Sequence, residues 1–372
     1  MSFDLKLEKP PAGYATHAAR GGEPLAVRVS GFLTSDDGEM LPTYLEGVSD
    51  FLSRIPIESR PPEGRISELL AIIQKDGAMK LYVNELKVIC EVQAKGEKNV
   101  GDLVYDDDIA DIRKARFEGI TIPRDAGIAV VMTAGWRKGF LFDYAPFHTG
   151  KERAFEVETA LGQAYSYLMF RNRLAISEEQ WEEIFRQRWF PFISLKKVSL
   201  QAMLTRAAQK WSIDELLDDI EAQVTVRCDV LKKFVSSHAM FTQHRQTILK
   251  AIEHYDKKDW LSCCHMIYPR LEGVLRTNQA KKMPEGAPTQ KGLAESAVHD
   301  PDGARHTLSL LLPIRFRAYL ELVYFANFDP RQPVEHVGRN TVSHGVVAED
   351  KLDRKAATIG MLILDQLLYL LA

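Results

Sequence analysis

The feature that most constrains this chain is its last fourteen residues, Ile359-Gly-Met-Leu-Ile-Leu-Asp-Gln-Leu-Leu-Tyr-Leu-Leu-Ala372. Crossing a bilayer takes about 20 apolar residues. The run is too short for that, and Asp365 and Gln366 interrupt it. It is therefore expected to be a buried core helix. A chain of 372 residues is long enough to enclose one without disulfide staples; at roughly 150 residues per domain it corresponds to two domains or three.

Several classes of protein drop out early. The amino terminus, MSFDLKLEKPP, has charges where a signal peptide needs an apolar run, so secretion is not indicated and no membrane partner is expected. Cys90 and Cys228 stand alone and Cys263 and Cys264 are adjacent, so no CxxC pair exists. That pattern suits a reduced, cytoplasmic setting and argues against a structural zinc, and no cofactor is expected. The formal charge of -3 excludes a protein that coats nucleic acid through a large positive excess. Its distribution is more informative. Residues 1 to 224 carry 28 basic and 35 acidic side chains, net -7, whereas 225 to 372 carry 20 and 16, net +4, together with eight of the ten histidines. Two regions with different partners are expected, and any contact with nucleic acid belongs to the second.

The first half reads as α+β. A Pro- and Gly-rich lead (Pro10, Pro11, Gly13, Gly21, Gly22) is followed by helical stretches at Leu45 to Ile55 and Ile66 to Gln74. The alternating, β-branched run from Met79 to Lys95 predicts a strand, or a hairpin turning near Asn84. Further strands are expected at Ile120 to Pro123, Gly127 to Thr133 and Gly139 to Tyr144, the last two joined by a Gly135-Trp-Arg-Lys-Gly139 turn. Together these make a small antiparallel sheet flanked by helices. From about residue 155 the pattern is all-α. Ser177 with Gln180, and Ser212 with Glu215, have the spacing of capping boxes. Leu261, Cys264, Tyr268, Leu271 and Leu275 recur at helical spacing on one face, with a kink expected at Pro269. The polar insert from 277 to 305 reads as a loop. The expected domains are 1–154 (α+β), 155–224 (a helical connector) and 225–372 (all-α).

The sharpest local motif is Gly338-Arg-Asn-Thr-Val-Ser-His-Gly345. With Pro333 at the first turn and Gly345 as the stop, Val334 to His344 would form a short helix. On it Asn340 and His344 share a face and could hydrogen-bond. Arg339 lies about 140° from His344, but its long side chain can curl toward the same space. A fixed cation, an amide and an imidazole that titrates near neutrality suit metal-free cleavage of a phosphodiester. His344 would move the proton and Arg339 would hold the phosphate bidentately. Asn340 would orient one or the other. The nucleophile would be a ribose 2′-hydroxyl, so the substrate would be RNA. Spacing alone is weak evidence, because this composition gives roughly one Arg-x4-His by chance. A second one, Arg331-Gln-Pro-Val-Glu-His336, contains Pro333 and lacks the Asn, and it is treated as a decoy. Helix capping by Asn or Arg, and a histidine satisfied in a packing interface, are commoner origins of such a pattern.

Arg339-Asn340-x-x-x-His344, the preceding Tyr268-Pro-Arg-Leu-Glu-Gly-Val-Leu-Arg276 helix and the apolar last helix resemble the HEPN superfamily. Its all-α domains carry an Arg-x4-6-His motif with a polar residue after the arginine. The resemblance spans residues 225 to 372, roughly 40% of the chain. It implies a metal-independent endoribonuclease acting as a homodimer, with Arg339 and His344 of two subunits meeting near a twofold axis. It also implies a toxin or phage-defence role, with an antitoxin partner that the sequence does not specify. Many HEPN domains are instead non-catalytic modules for dimerisation or for binding nucleotide or RNA. The whole chain further resembles an uncharacterised bacterial protein family.

The remaining candidates have plainer readings beside their functional ones. Glu272 could tune the site by pairing with Arg339 or Arg276, or be a structural salt bridge; Ser343 is a supporting residue of the motif. Cys263, Cys264 and His265 point about 100° apart on a helix and are read as packing rather than as metal ligands. Glu91, Gln93 and Lys95 on one strand face are similar to the acidic-x-Lys strand of metal-dependent PD-(D/E)XK nucleases, but no upstream Pro-Asp element accompanies them. Asp106 to Asp108 would complement the dipole of a helix from Ile109 to Phe117. Trp136 and Arg137 could stack on a base, or simply anchor a turn.

Overall fold

A computed structural model of the chain describes residues 1–9, 11–62, 66–300 and 307–371. Pro10 of the lead and residues 301–305 of the expected insert loop lie outside the described residues. The chain forms two compact units, Met1–Val92 with Ile112–Arg171, and Gln93–Asp111 with Asn172–Ala372. The expected connector is shared between them, since 155–171 belongs to the first unit and 172–224 to the second.

The strands in chain order are β1 (Ser2–Lys6), β2 (Tyr14–Ala15), β3 (Val27–Arg28), β4 (Ser30–Thr34), β5 (Leu69–Ile73), β6 (Ala78–Val83), β7 (Val88–Ala94), β8 (Ile109–Phe117), β9 (Gly127–Ala134) and β10 (Arg137–Asp143). The helices are α1 (Met40–Ser53), α2 (Ala145–Thr149), α3 (Val157–Leu174), α4 (Glu178–Arg186), α5 (Lys197–Ala208), α6 (Leu217–Ser237), α7 (Arg245–Asp256), α8 (Trp260–Lys282), α9 (Gln290–Val298), α10 (Pro313–Tyr319), α11 (Arg339–Ser343) and α12 (Arg354–Leu371).

The first unit is built on an antiparallel six-stranded sheet in the order β1-β6-β5-β9-β10-β4. Side chains alternate across the sheet, and both faces are covered. Leu69, Ala71 and Ile73 of β5 pack with Tyr44, Val48 and Phe51 of α1. Leu70 and Ile72 pack on the opposite side with Leu161, Tyr165 and Leu168 of α3. This double burial explains why Ile66 to Gln74, expected as a helix, is a strand. All five residues of β5 are buried, so the stretch carries no period-two signal, and a continuous apolar run is ambiguous between helix and central strand. Asn84, in a left-handed conformation at φ 54°, does turn the chain, but β6 joins the six-stranded sheet while β7 pairs with β8. Residues 120–123 are irregular rather than a strand. The Gly135 turn joins β9 to β10 as expected, with Trp136 exposed and the Arg137 guanidinium 4.7 Å from its ring.

The second unit is helical. α12 is buried along nearly its whole length and packs against α6 and α8. Its two polar interruptions are answered individually, as burial requires. Asp365 takes a two-pronged pair from Arg227, with Nη2 at 2.7 Å. Gln366 accepts from Ile193 N–H and donates to Leu311 O, both at 2.9 Å. Among the described residues no helix is long and apolar enough to cross a membrane.

Several local expectations are corrected in this unit. Asp106–Asp108 form a short turn ahead of a strand, β8, not a helix; Asp106 and Asp107 bind Lys197, and Asp108 accepts from Tyr105 N–H. The Ser177 capping box is present. Ser212 makes no side-chain cap, and Glu215 pairs with Arg206 at 2.8 Å instead. α8 runs uninterrupted through Pro269, and Leu261, expected on its apolar face, is exposed. The insert expected as a loop contains α9, capped by Thr289.

Candidate functional site

The motif helix is shorter than its sequence suggests, Arg339–Ser343 rather than Val334 to His344, and Pro333 lies outside it. Both of its ends are locked. Gly338 N–H donates to Thr341 Oγ1 at 3.0 Å. A Cβ on Gly338 would sit 3.0 Å from Tyr324 O and 3.2 Å from Val323 O, so the chain enters the helix pressed against neighbouring backbone. At the other end Gly345 adopts φ 64°, with Gly345 N–H bonded to Val342 O and Val346 N–H to Thr341 O, both at 3.1 Å. That is the Schellman geometry in which glycine is favoured. The stop at Gly345 was legible from sequence.

Arg339 and His344 lie at opposite ends of this turn and have different neighbours. The Arg339 Nε pairs with the Glu272 carboxylate of α8, and Nη1 donates to Asn340 Oδ1 at 3.0 Å. Glu272 is buried and its other oxygen accepts from Arg276 Nε at 2.9 Å and Nη2 at 2.6 Å, so one carboxylate holds two guanidinium groups. The Nη2 group of Arg339 has no protein acceptor among the described residues. His344 caps the helix and is exposed; its ring lies 5.6 Å from that of Phe328, and among the described residues its imidazole makes no hydrogen bond. Ser343 beside it is also exposed.

Asn340 does not make the expected bond to His344. Its Oδ1 accepts from Gln290 Nε2 at 2.6 Å as well as from Arg339, and its Nδ2 donates to Phe325 O at 2.9 Å and Ala326 O at 3.3 Å. It is a buried clamp that fixes the Arg339 guanidinium and ties α11 to α9. Sequence reasoning missed Gln290 because the insert read as a loop. The Thr289 N-cap, whose side chain accepts from Gly292 N–H, was the signal available for a helix there.

The other candidates fall as follows. Cys263 and Cys264 are fully buried and His265 is exposed; burial pushes the Cys263 thiol up to about 12, so it packs as a small apolar residue. Among the described residues no group of three or more His, Cys, Asp or Glu could hold a metal ion. Gln93 donates to Tyr369 O at 3.2 Å. Burial, with Arg173 and Arg227 nearby, draws the Lys95 amine down to about 8, against the opposing pull of Asp107 and Asp365. Glu91 is exposed in the other unit. Arg331 of the decoy is exposed and pairs with Asp329 at 3.0 Å.

Comparison of the chain with protein-family models, with curated proteins and with solved structures returned no match.

Proposed function

We propose that the second unit is a HEPN-type, metal-independent endoribonuclease that works in the cytoplasm as a homodimer, in a toxin or phage-defence role. The observation that carries this reading is the division of labour on α11. Asn340 and Glu272 hold Arg339, whose Nη2 group has no acceptor among the described residues, while His344, five residues on, is exposed and makes no side-chain hydrogen bond among them. His344 would take the proton of the ribose 2′-hydroxyl as the 2′-oxygen attacks phosphorus. Arg339 would stabilise the charge on the phosphoryl oxygens as the P–O5′ bond breaks and the 5′-oxygen takes a proton from water, leaving a 2′,3′-cyclic phosphate and a 5′-hydroxyl. In this reading Arg339 and His344 of two subunits meet near a twofold axis, as the HEPN resemblance implies.

The alternative, a non-catalytic module for dimerisation or for binding nucleotide or RNA, is favoured by one observation. Glu272 already pairs with Arg339, which weakens its hold on a phosphate. The two readings separate on product chemistry. Purified protein incubated with RNA in EDTA is expected to leave 2′,3′-cyclic phosphate ends. Intact RNA, or cutting that EDTA stops, overturns the nuclease reading.

A further inference from the structure

α8 is 23 residues long and carries a single carboxylate, Glu272, which is buried. Its exposed side therefore bears no negative charge of its own, while Arg270, Arg276 and Lys281 are all exposed on it. At 100° and 1.5 Å per residue, Arg270 and Lys281 stand in one row about 16 Å apart. Arg276 lies between them in height, about 130° round the helix. Three cations thus bracket the exposed side of α8 in steps of about 8 Å.

Exposed cations elsewhere in this unit are neutralised by a neighbour: Arg186 by Glu183, Lys258 by Glu221 and Arg331 by Asp329. Arg270 and Lys281 have no carboxylate partner among the described residues. Two histidines on the adjoining segment feel their charge. Burial and then Arg270 push the His244 imidazole down, and burial followed by Lys281 and Lys282 does the same to His238. Arg276 differs, because Glu272 holds it through Nε at 2.9 Å and Nη2 at 2.6 Å. The same carboxylate pairs with Arg339, so the basic side of α8 is joined to the motif helix through one residue.

Regularly stepped cations without counter-charges suit a polyanion that carries one charge per monomer. We propose that the exposed side of α8 binds the phosphate backbone of single-stranded RNA through Arg270, Arg276 and Lys281 and leads the strand to Arg339. A single strand is specified because a duplex holds each 2′-oxygen out of line with the 5′-oxygen it must displace. An acidic protein would also satisfy the charges, but the continuity with Arg339 through Glu272 favours the phosphodiester chain. The proposal rests on the reading of this unit as one that acts on RNA.

Fluorescence anisotropy of a labelled single strand of about 20 nucleotides tests it, with the full His344→Ala chain titrated in EDTA at several salt concentrations. Arg270→Gln with Lys281→Gln removes two phosphate contacts. The slope of log affinity against log salt should then fall by about 1.4, and affinity at 0.1 M salt by about 25-fold. Lys196→Gln with Lys210→Gln removes the same charge from exposed positions of the same unit, and should weaken binding less than about threefold. Absence of RNA binding, an unchanged slope in the Arg270/Lys281 variant, or an equal loss in the Lys196/Lys210 variant overturns the proposal. So does a glutamate peptide of matched charge that binds as tightly as the RNA. Binding and cleavage are read separately. RNA that binds with the expected losses but is never cut by the unmodified chain supports the track and refutes the nuclease reading. An Arg270/Lys281 variant that binds and cuts as the unmodified chain does refutes the track alone.

Discussion

Replacing Glu272 by Gln keeps its volume and removes one charge from a buried centre that two guanidinium groups share. The Glu272 side chain is 4% exposed, Arg339 23% and Arg276 51%. A hydrogen bond to a charged partner contributes about 1.5–3 kcal/mol. The glutamine oxygen can still accept from one arginine, while its NH2 would face the other. Solvent hydrates much of Arg276 and some of Arg339, which lowers the penalty from that of a fully buried unpaired charge, so a loss of about 2 kcal/mol is expected. Arg339→Ala leaves Glu272 with Arg276 and should cost about 1 kcal/mol. In the double variant the interaction between the two positions is lost only once, giving a coupling of about 1 kcal/mol. Urea unfolding followed by tryptophan fluorescence is a suitable assay, because Trp181, Trp189, Trp211 and Trp260 all belong to the second unit and only Trp136 to the first. With a slope of about 2 kcal/mol per molar urea, Glu272→Gln should lower the midpoint by about 1 M. An unchanged midpoint, or strict additivity in the double variant, would refute the shared-carboxylate account. Freed from its carboxylate, Arg339 should still support RNA cleavage in Glu272→Gln.

Burial lowers His238, His244 and His336 below the ordinary histidine range. The unfolded chain therefore binds more protons between their folded values and about 6.5, and stability should fall as pH drops below about 6.5; a midpoint in urea that is flat from pH 7.5 to 5.5 would contradict this. Lys95 should titrate near 8, measurable by NMR of the 13C-labelled amine, and a midpoint above 10 would mean that it is not desolvated beside Arg173 and Arg227. Gly360 in α12 is a case where two effects compete. Helix propensity alone gives Gly360→Ala a gain of up to about 1 kcal/mol. A Cβ there would lie 2.7 Å from Ile267 Cγ2, however, and overpacking costs about 1–3 kcal/mol, so net destabilisation is expected and a stabilised variant would sink the packing argument.

Sequence was most informative where one physical cause dominated. The terminal apolar run, the Gly345 stop, the Ser177 cap and the β9–β10 turn each follow from local chemistry. It misled where tertiary burial overrode the local pattern. β5 is buried on both faces and loses its alternation, and the spacing of apolar residues in β8 after three aspartates mimics a helix start. At the candidate site, Arg339, Asn340, His344 and Glu272 could be named, but the direction of each side chain could not. The capture of Asn340 by Gln290 depends on a helix hidden in a polar insert.

The central claim is that Arg339 and His344 act together in cutting RNA. Its most direct test is RNA cleavage in EDTA by the unmodified protein beside His344→Ala and Arg339→Ala. His344 is exposed and its side chain makes no hydrogen bond among the described residues, so its replacement should leave the urea midpoint unchanged while abolishing cleavage, and Arg339→Ala should abolish cleavage while losing about 1 kcal/mol of stability. Cleavage that persists in His344→Ala would contradict the account.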